Sequence, residues 1–435
     1  MMHSSAPSRS FSFSGRHWFV LGLLIFFAAL SLQYTFKAIG NGERSNRSAF
    51  LRWREQIQDL PTKNIYQTYN YPNPPIMAIL LFPLVQLPAL LGSLLWFYLK
   101  LGLTAVAILW VFKMVESAEQ PFPTWAKLCA VVLSLRPIMG DLSHGNVNLF
   151  ILFLVVAALH ALNKRQHLVS GLLLALAIAC KVTPALFIPY LLWKRAWKSL
   201  AGCCIGLLLF LILIPGLFLG QSRNVSLLTS WTNQMVKPFV LEGAVTSDHP
   251  NQSLPGVVYR LLTHNPSYLD ELGHPARFDN FANLDPRTAG RIVKGCMLLF
   301  MGFVVWSCRT PLQAGGGWRL AAEYSLVVVG MLLFSERTWK HHCVTMVLPF
   351  AVLCYYLAAC RPAPLLRALV AAGLMAVFAL MTATSTSGVS SALDEMARLA
   401  QVYGAYVVAY VILAGLLVVI LKCKDGRRVR GETIN

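Results

Sequence analysis

Apolar runs of roughly 17–25 residues recur along almost the whole chain, separated by short polar and basic turns. A lipid-solvated backbone finds no outside hydrogen-bonding partner, so each run has to satisfy its N–H and C=O groups as a helix. The pattern predicts an all-α polytopic membrane protein of about 12 transmembrane helices. The 435 residues are 56% hydrophobic and only 13% charged, which excludes a soluble domain of this length.

The net charge of +19 would suggest a nucleic-acid partner in a soluble protein. Here the basic residues fall mostly in short loops between apolar runs, which is the positive-inside signal, and no nucleic acid is expected. The ten cysteines lie in apolar runs or short loops with no metal-ligand or disulfide spacing, so no metal site is expected, and with no Walker motif and no GxGxxG after a strand no cofactor is expected.

Spans are expected at 18–36, 90–112, 128–138 with some preceding residues, 147–162, 168–180, 183–193, 200–220, 292–307, 320–334, 343–360, 368–383 and 403–421. The segment from Tyr69 to Pro88 is apolar but broken by Pro83 and Pro88. Counting it as a crossing would put Lys164–Arg165 and Lys194–Arg195 outside, so it reads as re-entrant or surface-lying. The chain is then one integral membrane domain, 1–435, with both ends, 1–16 and 422–435, in the cytoplasm. A first outer loop, 37–75, carries an amphipathic helix with Phe50, Trp53 and Ile57 on one face, and a second, large outer loop covers 221–290.

Chemistry concentrates between Arg136 and Pro184. Two polar turns, Asp141–Asn148 and Lys181–Pro184, are separated by a crossing, a basic loop and a crossing back, so both emerge on one membrane face. Asp141, His144, Asn146, Asn148 and Lys181 join Glu336, Arg337, Lys340, His341 and His342 there, with the charged residues of the first outer loop, Glu43, Arg44 and Arg47 among them. Each also has a plainer reading. Asp141 caps the next helix or pairs with Arg136; Lys181 snorkels; His341 and His342 are interfacial, and as neighbours they point to different helix faces, a poor metal pair.

Five motifs in order resemble glycosyltransferase family 87, the polyprenyl-phosphate-sugar-dependent enzymes of the GT-C membrane fold. They are Tyr71-Pro72-Asn73-Pro74-Pro75, Gly145-Asn146-Val147-Asn148, Lys181-Val182-Thr183-Pro184, Asn251-Gln252-Ser253 and Trp339-Lys340-His341-His342. The resemblance implies a hexose, mannose in particular, moved from a polyprenyl-phosphate donor to a glycan or glycolipid acceptor, with inversion, on the extracytoplasmic side of the cell membrane. It implies a carboxylate as general base and cations on the departing lipid phosphate. Lys181, His341, His342, His144, Asn146, Asn148, Tyr71 and Arg47 are then the candidate substrate-binding residues. The family's catalytic aspartate falls near Arg47–Ser48, where no carboxylate stands. Either Glu43 or Asp141 serves as base, or the activity is altered or absent. A lipid-headgroup flippase or sugar transporter is the reading from another functional class.

Overall fold

The computed structural model describes residues 28–36, 48–117, 119–270, 273–312, 316–386 and 390–423. Glu43, Arg44 and Arg47 lie outside the described residues, as do 1–27 and most of the basic tail. The described chain is mostly helical, and its one small sheet pairs two short antiparallel strands. Six helices are long and apolar enough to cross a membrane. The protein is a multi-pass membrane protein.

In chain order the helices are α1 (28–36), α2 (Ala49–Gln58), α3 (Ile65–Tyr69), α4 (Pro75–Gln86), α5 (Ala89–Val115), α6 (Thr124–His144), α7 (Asn148–Asn163) and α8 (His167–Cys180). A 3-10 turn, Thr183–Leu186, leads into α9 (Phe187–Trp193), followed by α10 (Trp197–Leu219), α11 (Gln221–Trp231), which continues through helical turns at Thr232–Val236 and Lys237–Val240, and α12 (Leu254–Leu262). Strands β1 (Tyr268–Leu269) and β2 (Pro275–Arg277) precede α13 (Pro286–Ser307), α14 (Trp318–Leu333), α15 (Lys340–Ala359), α16 (Pro364–Ala383), α17 (Ser391–Val402) and α18 (Ala405–Lys422).

Where prolines interrupt the helices, neighbouring side chains take up the freed carbonyls. Helix α4 opens on Pro75 and has 12 residues, so it is about 18 Å long against a hydrocarbon core of roughly 30 Å. It ends before Pro88, which has no N–H to give. Gln58 donates to the Val85 carbonyl (2.8 Å) and Arg54 to that of Leu87 (3.1 Å). These bonds dock α2, whose buried face is Ala49, Phe50, Trp53 and Ile57, onto the end of α4. Within α10, Pro215 cannot donate to Leu211, four residues back; Asn224 of α11 does so instead (2.9 Å).

Close approach of α8 and α10 depends on small residues. A Cβ added to Gly171 would lie 2.0 Å from the Ser199 carbonyl, one on Gly202 2.5 Å from that of Leu168, and one on Gly206 2.5 Å from Ala175. Such small-residue seams are how helices associate where lipid provides no hydrophobic drive. At the other extreme, α13 keeps Leu298 and Leu299 largely exposed, as a lipid-facing helix does.

Two expectations change. The helix expected to end near residue 138 runs through Pro137 to His144, so Asp141 sits in its last turn and the polar turn shrinks to Gly145–Val147. The stretch 221–290, expected as a large loop, contains α11, α12 and the β1–β2 pair. Replacing Gly202 with Leu is expected to part α8 from α10 and cost upward of about 3 kcal/mol. The readout is loss of the monodisperse peak and a lower melting temperature in detergent; Gly295→Leu on α13, where nothing lies within 4 Å, should leave both unchanged.

Candidate active site

The site grows from the junction of α6 and α7. Gly145 adopts φ 65°, and a Cβ there would meet the Tyr34 hydroxyl at 2.9 Å and Ser48 at 3.2 Å, so glycine is required on both counts. The turn is held from α5, where Trp96 donates to the Gly145 carbonyl (3.1 Å). One helical turn on, Lys100 reaches both the carboxylate (3.1 Å) and the carbonyl (2.9 Å) of Asp141. Lys100 and Asp141 are fully buried. The carboxylate also receives the backbone N–H groups of Asn148 (3.3 Å) and Leu149 (3.4 Å), so it caps α7 where the helix dipole is positive. Asp141 therefore caps the next helix but pairs with Lys100, not with Arg136.

From Asp141 a chain of contacts runs to Lys181. The Asn148 amide donates to Asp141 (2.9 Å), and its oxygen receives the Lys181 ammonium. Lys181 stands in the break between α8 and the 3-10 turn. It lines a void of about 20 Å³, room for one water, with Asn148, Arg337, Thr338, His342 and Thr345. The Thr345 hydroxyl is buried there without a protein partner.

His341 and His342 do face different ways. His342 accepts the Trp339 N–H (3.3 Å) and turns toward Lys181. His341 stacks on His144 (ring centroids 4.7 Å) and bonds Asn146 (3.1 Å). It borders a second cavity of about 300 Å³ with Arg136, His144, Trp339 and Lys340. Arg136 donates to Met381 (2.6 Å) and Ser385, and Lys340 to the Thr384 carbonyl (2.9 Å), so both cations sit on the C-terminal end of α16. No carboxylate among the described residues lines either cavity. Among the described residues no three His, Cys, Asp or Glu side chains gather as a metal site.

The loop before α15 is fixed by Asn251 and Gln252. Asn251 donates to the Thr246 (2.7 Å) and Glu336 (2.9 Å) carbonyls and accepts from Ser253 and Thr338, filling its amide's main positions. Gln252 donates to Gln401 (2.8 Å), and Ser253 caps α12. On α12 the fully buried Arg260 donates to carbonyls of Ser247, Asp248, Asn251, Gln401 and Val402. Burial pulls its pKa down to about 10, so it stays charged at neutral pH.

Tyr71 is fully buried beside Trp53 and Tyr66, in the aromatic cluster behind α2. Asp59 pairs with Lys63 on the surface. Ser48, close to where the resemblance places the family acid, caps α2 and packs against Gly145, so that position does abut the site, but as a serine. Lys100 is the residue that sequence reading missed. Its signal was there, a single cation in the middle of a 27-residue apolar helix.

Residues 71–335 match the profile of glycosyltransferase family 87. The chain belongs to this family. Among similar proteins is a polyprenol-phosphate-mannose-dependent alpha-(1-2)-phosphatidylinositol mannoside mannosyltransferase of Mycolicibacterium smegmatis, 29% identical over 57% of this chain and 50% of the relative. The protein of the same description from Mycobacterium tuberculosis is 26% identical over 63% of this chain and 59% of its own length. A pentamannoside-acting mannosyltransferase of Mycolicibacterium smegmatis is 26% identical over 68% and 62%. The matches thus span about half to three-fifths of these relatives' lengths.

In this family-87 chain the pair Lys100–Asp141 should be worth more to the fold than to any reaction. Lys100→Met leaves a carboxylate buried without its cation and is expected to cost about 3–5 kcal/mol. Adding Asp141→Asn should recover most of the lost melting temperature, because the stranded charge is gone.

Proposed function

We propose that the chain transfers mannose from a polyprenyl-phosphate-linked donor to a glycolipid acceptor. The reaction is placed at the bundle end where Asn148, Lys181 and the two histidines meet, on the extracytoplasmic side of the cell membrane. The observation that carries this reading is the pair of cavities flanking His341 and His342. Arg136 and Lys340 line the 300 Å³ cavity, Lys181 and Arg337 the one-water void beside His342, and among the described residues no carboxylate lines either. Breaking the bond from sugar to lipid phosphate leaves negative charge on the phosphate oxygens, and fixed cations in a water-poor site stabilise that charge most. The relatives' dependence on polyprenol-phosphate-mannose supports the donor, and their phosphatidylinositol mannoside substrates support a glycolipid acceptor.

In this mechanism the acceptor hydroxyl attacks the anomeric carbon from the face opposite the phosphate, inverting it, while a carboxylate takes the hydroxyl proton. Asp141 is poorly suited to that role. Its oxygens are committed to Lys100, Asn148 and Leu149, and it is closed to solvent. We assign it to positioning Asn148 and, through Asn148, Lys181. Glu43 is the proposed base. It precedes Ser48 by five residues, a tether of at most roughly 18 Å, and Ser48 touches the Gly145 turn. His144, His341 and Asn146 are proposed to bind sugar or phosphate oxygens, and Tyr71 to support α2 from behind. The roughly 12-span topology, with α4 re-entrant and both termini cytoplasmic, belongs to the same proposal.

The test is transfer of radiolabelled mannose from polyprenyl-phosphate mannose to phosphatidylinositol mannosides by the purified protein. Glu43→Gln is expected to lower turnover at least about 100-fold, and Lys181→Met comparably, with normal melting temperatures. Full activity in Glu43→Gln would remove it as base. Label crossing a proteoliposome membrane without product formation would favour the transporter reading.

A further inference from the structure

The end of the bundle away from the catalytic cavities carries a second, larger site. Helix α7 leads from Asn148 down to Asn163, and α8 returns from His167 to Lys181, so the 164–166 turn lies at the opposite end. The turn between α9 and α10, 194–196, lies beside it. Together with Arg309 and its neighbours after α13, the two turns enclose a cavity of about 880 Å³. Its lining includes Arg165, Arg195, Lys198 and Arg309, and among the described residues no acidic one. Glu323, which pairs with Lys194 of the lining, is fully buried and also committed to Tyr190 and the Thr310 N–H.

The two turns are built alike. Each is a Lys-Arg pair closing a helix, with the arginine in left-handed backbone, Arg165 at φ 60° and Arg195 at φ 53°. In each, the residue after the arginine bonds back five positions, Gln166 to Ala161 and Ala196 to Leu191 (both 2.9 Å). This is the helix C-terminus that glycine ordinarily closes. Both places hold an arginine, a side chain the backbone disfavours there, and both arginines line one cavity.

An apolar groove continues from this cavity. Trp193 borders both, and the groove runs between α9, α13 and α14 past Met297, Phe300 and Val304. Trp193 and Trp197 are exposed, as indoles are at the boundary between headgroups and acyl chains. We propose that this cavity binds the phosphate headgroup of an anionic membrane phospholipid, with an acyl chain lying in the α9–α13–α14 groove. The cations supply headgroup recognition, the groove supplies chain recognition, and a soluble anion would need only the first.

The experiment uses the full-length protein in detergent, titrated with dioleoylphosphatidylglycerol, dioleoylphosphatidylcholine or inorganic phosphate, with binding followed by melting temperature and native mass spectrometry. Phosphatidylglycerol is expected to bind and raise the melting temperature, and the other two to do neither. In Arg165→Gly/Arg195→Gly, glycine suits both turns, so the lipid-free melting temperature should hold or rise while binding is lost. Lys198→Gln/Arg309→Gln, which leaves the turns untouched, should lower affinity roughly 30-fold for its two charges. Equal binding of phosphatidylcholine, stabilisation by inorganic phosphate alone, or unchanged phosphatidylglycerol binding in both variants would overturn the proposal. Mannosyl transfer by the lipid-free protein is measured separately, so failure of the lipid site leaves the enzymatic reading standing.

Discussion

A buried ion pair between Lys100 and Asp141 sets the geometry of the bundle end proposed to be catalytic. Neither charge reaches water, so each is tolerable only with the other in place and with its remaining valences filled. That requirement joins three helices at one point. Helix α5 brings the ammonium, α6 the carboxylate, and α7 begins with two backbone N–H groups on the same carboxylate. Asn148 then passes the arrangement to Lys181. An interaction that contributes little net energy can in this way fix where the Lys181 ammonium stands.

The same separation between holding and reacting runs through the rest of the site. Asn251, Gln252 and Arg260 are polar, buried and bonded chiefly to backbone carbonyls, so they serve the loop rather than a substrate. Arg136 and Lys340 bond the carbonyls ending α16 and still border open space. Positive charge accumulates there because helix C-termini offset part of its cost, and a phosphate would offset the rest.

Much of this was legible in the residues. Apolar runs gave the helices, and the clusters around Asn148, Lys181 and His341 were readable as partners because the crossings between them return to one face. Helix boundaries at prolines were not legible. Pro137 suggests a stop, yet α6 passes it, since a membrane bundle supplies other partners for a freed carbonyl. Lys100 was hidden because hydropathy averaging over α5 dilutes a lone cation among apolar neighbours. The Asn-Gln-Ser motif announced a helix start, which Ser253 does cap, but its grip on the chain near 246, 336 and 401 is a long-range fact that no local pattern carries.

Arg260 and Gln252 lie inside the family-matched stretch, while the carbonyls of Gln401 and Val402 that receive them lie well beyond its end at 335. The recognisable part of the sequence is therefore not a self-sufficient fold. A fragment cut at its border would take from Arg260 the two carbonyls that its Nε and Nη2 reach, and a chimera exchanging that part between relatives has to carry the last two helices with it.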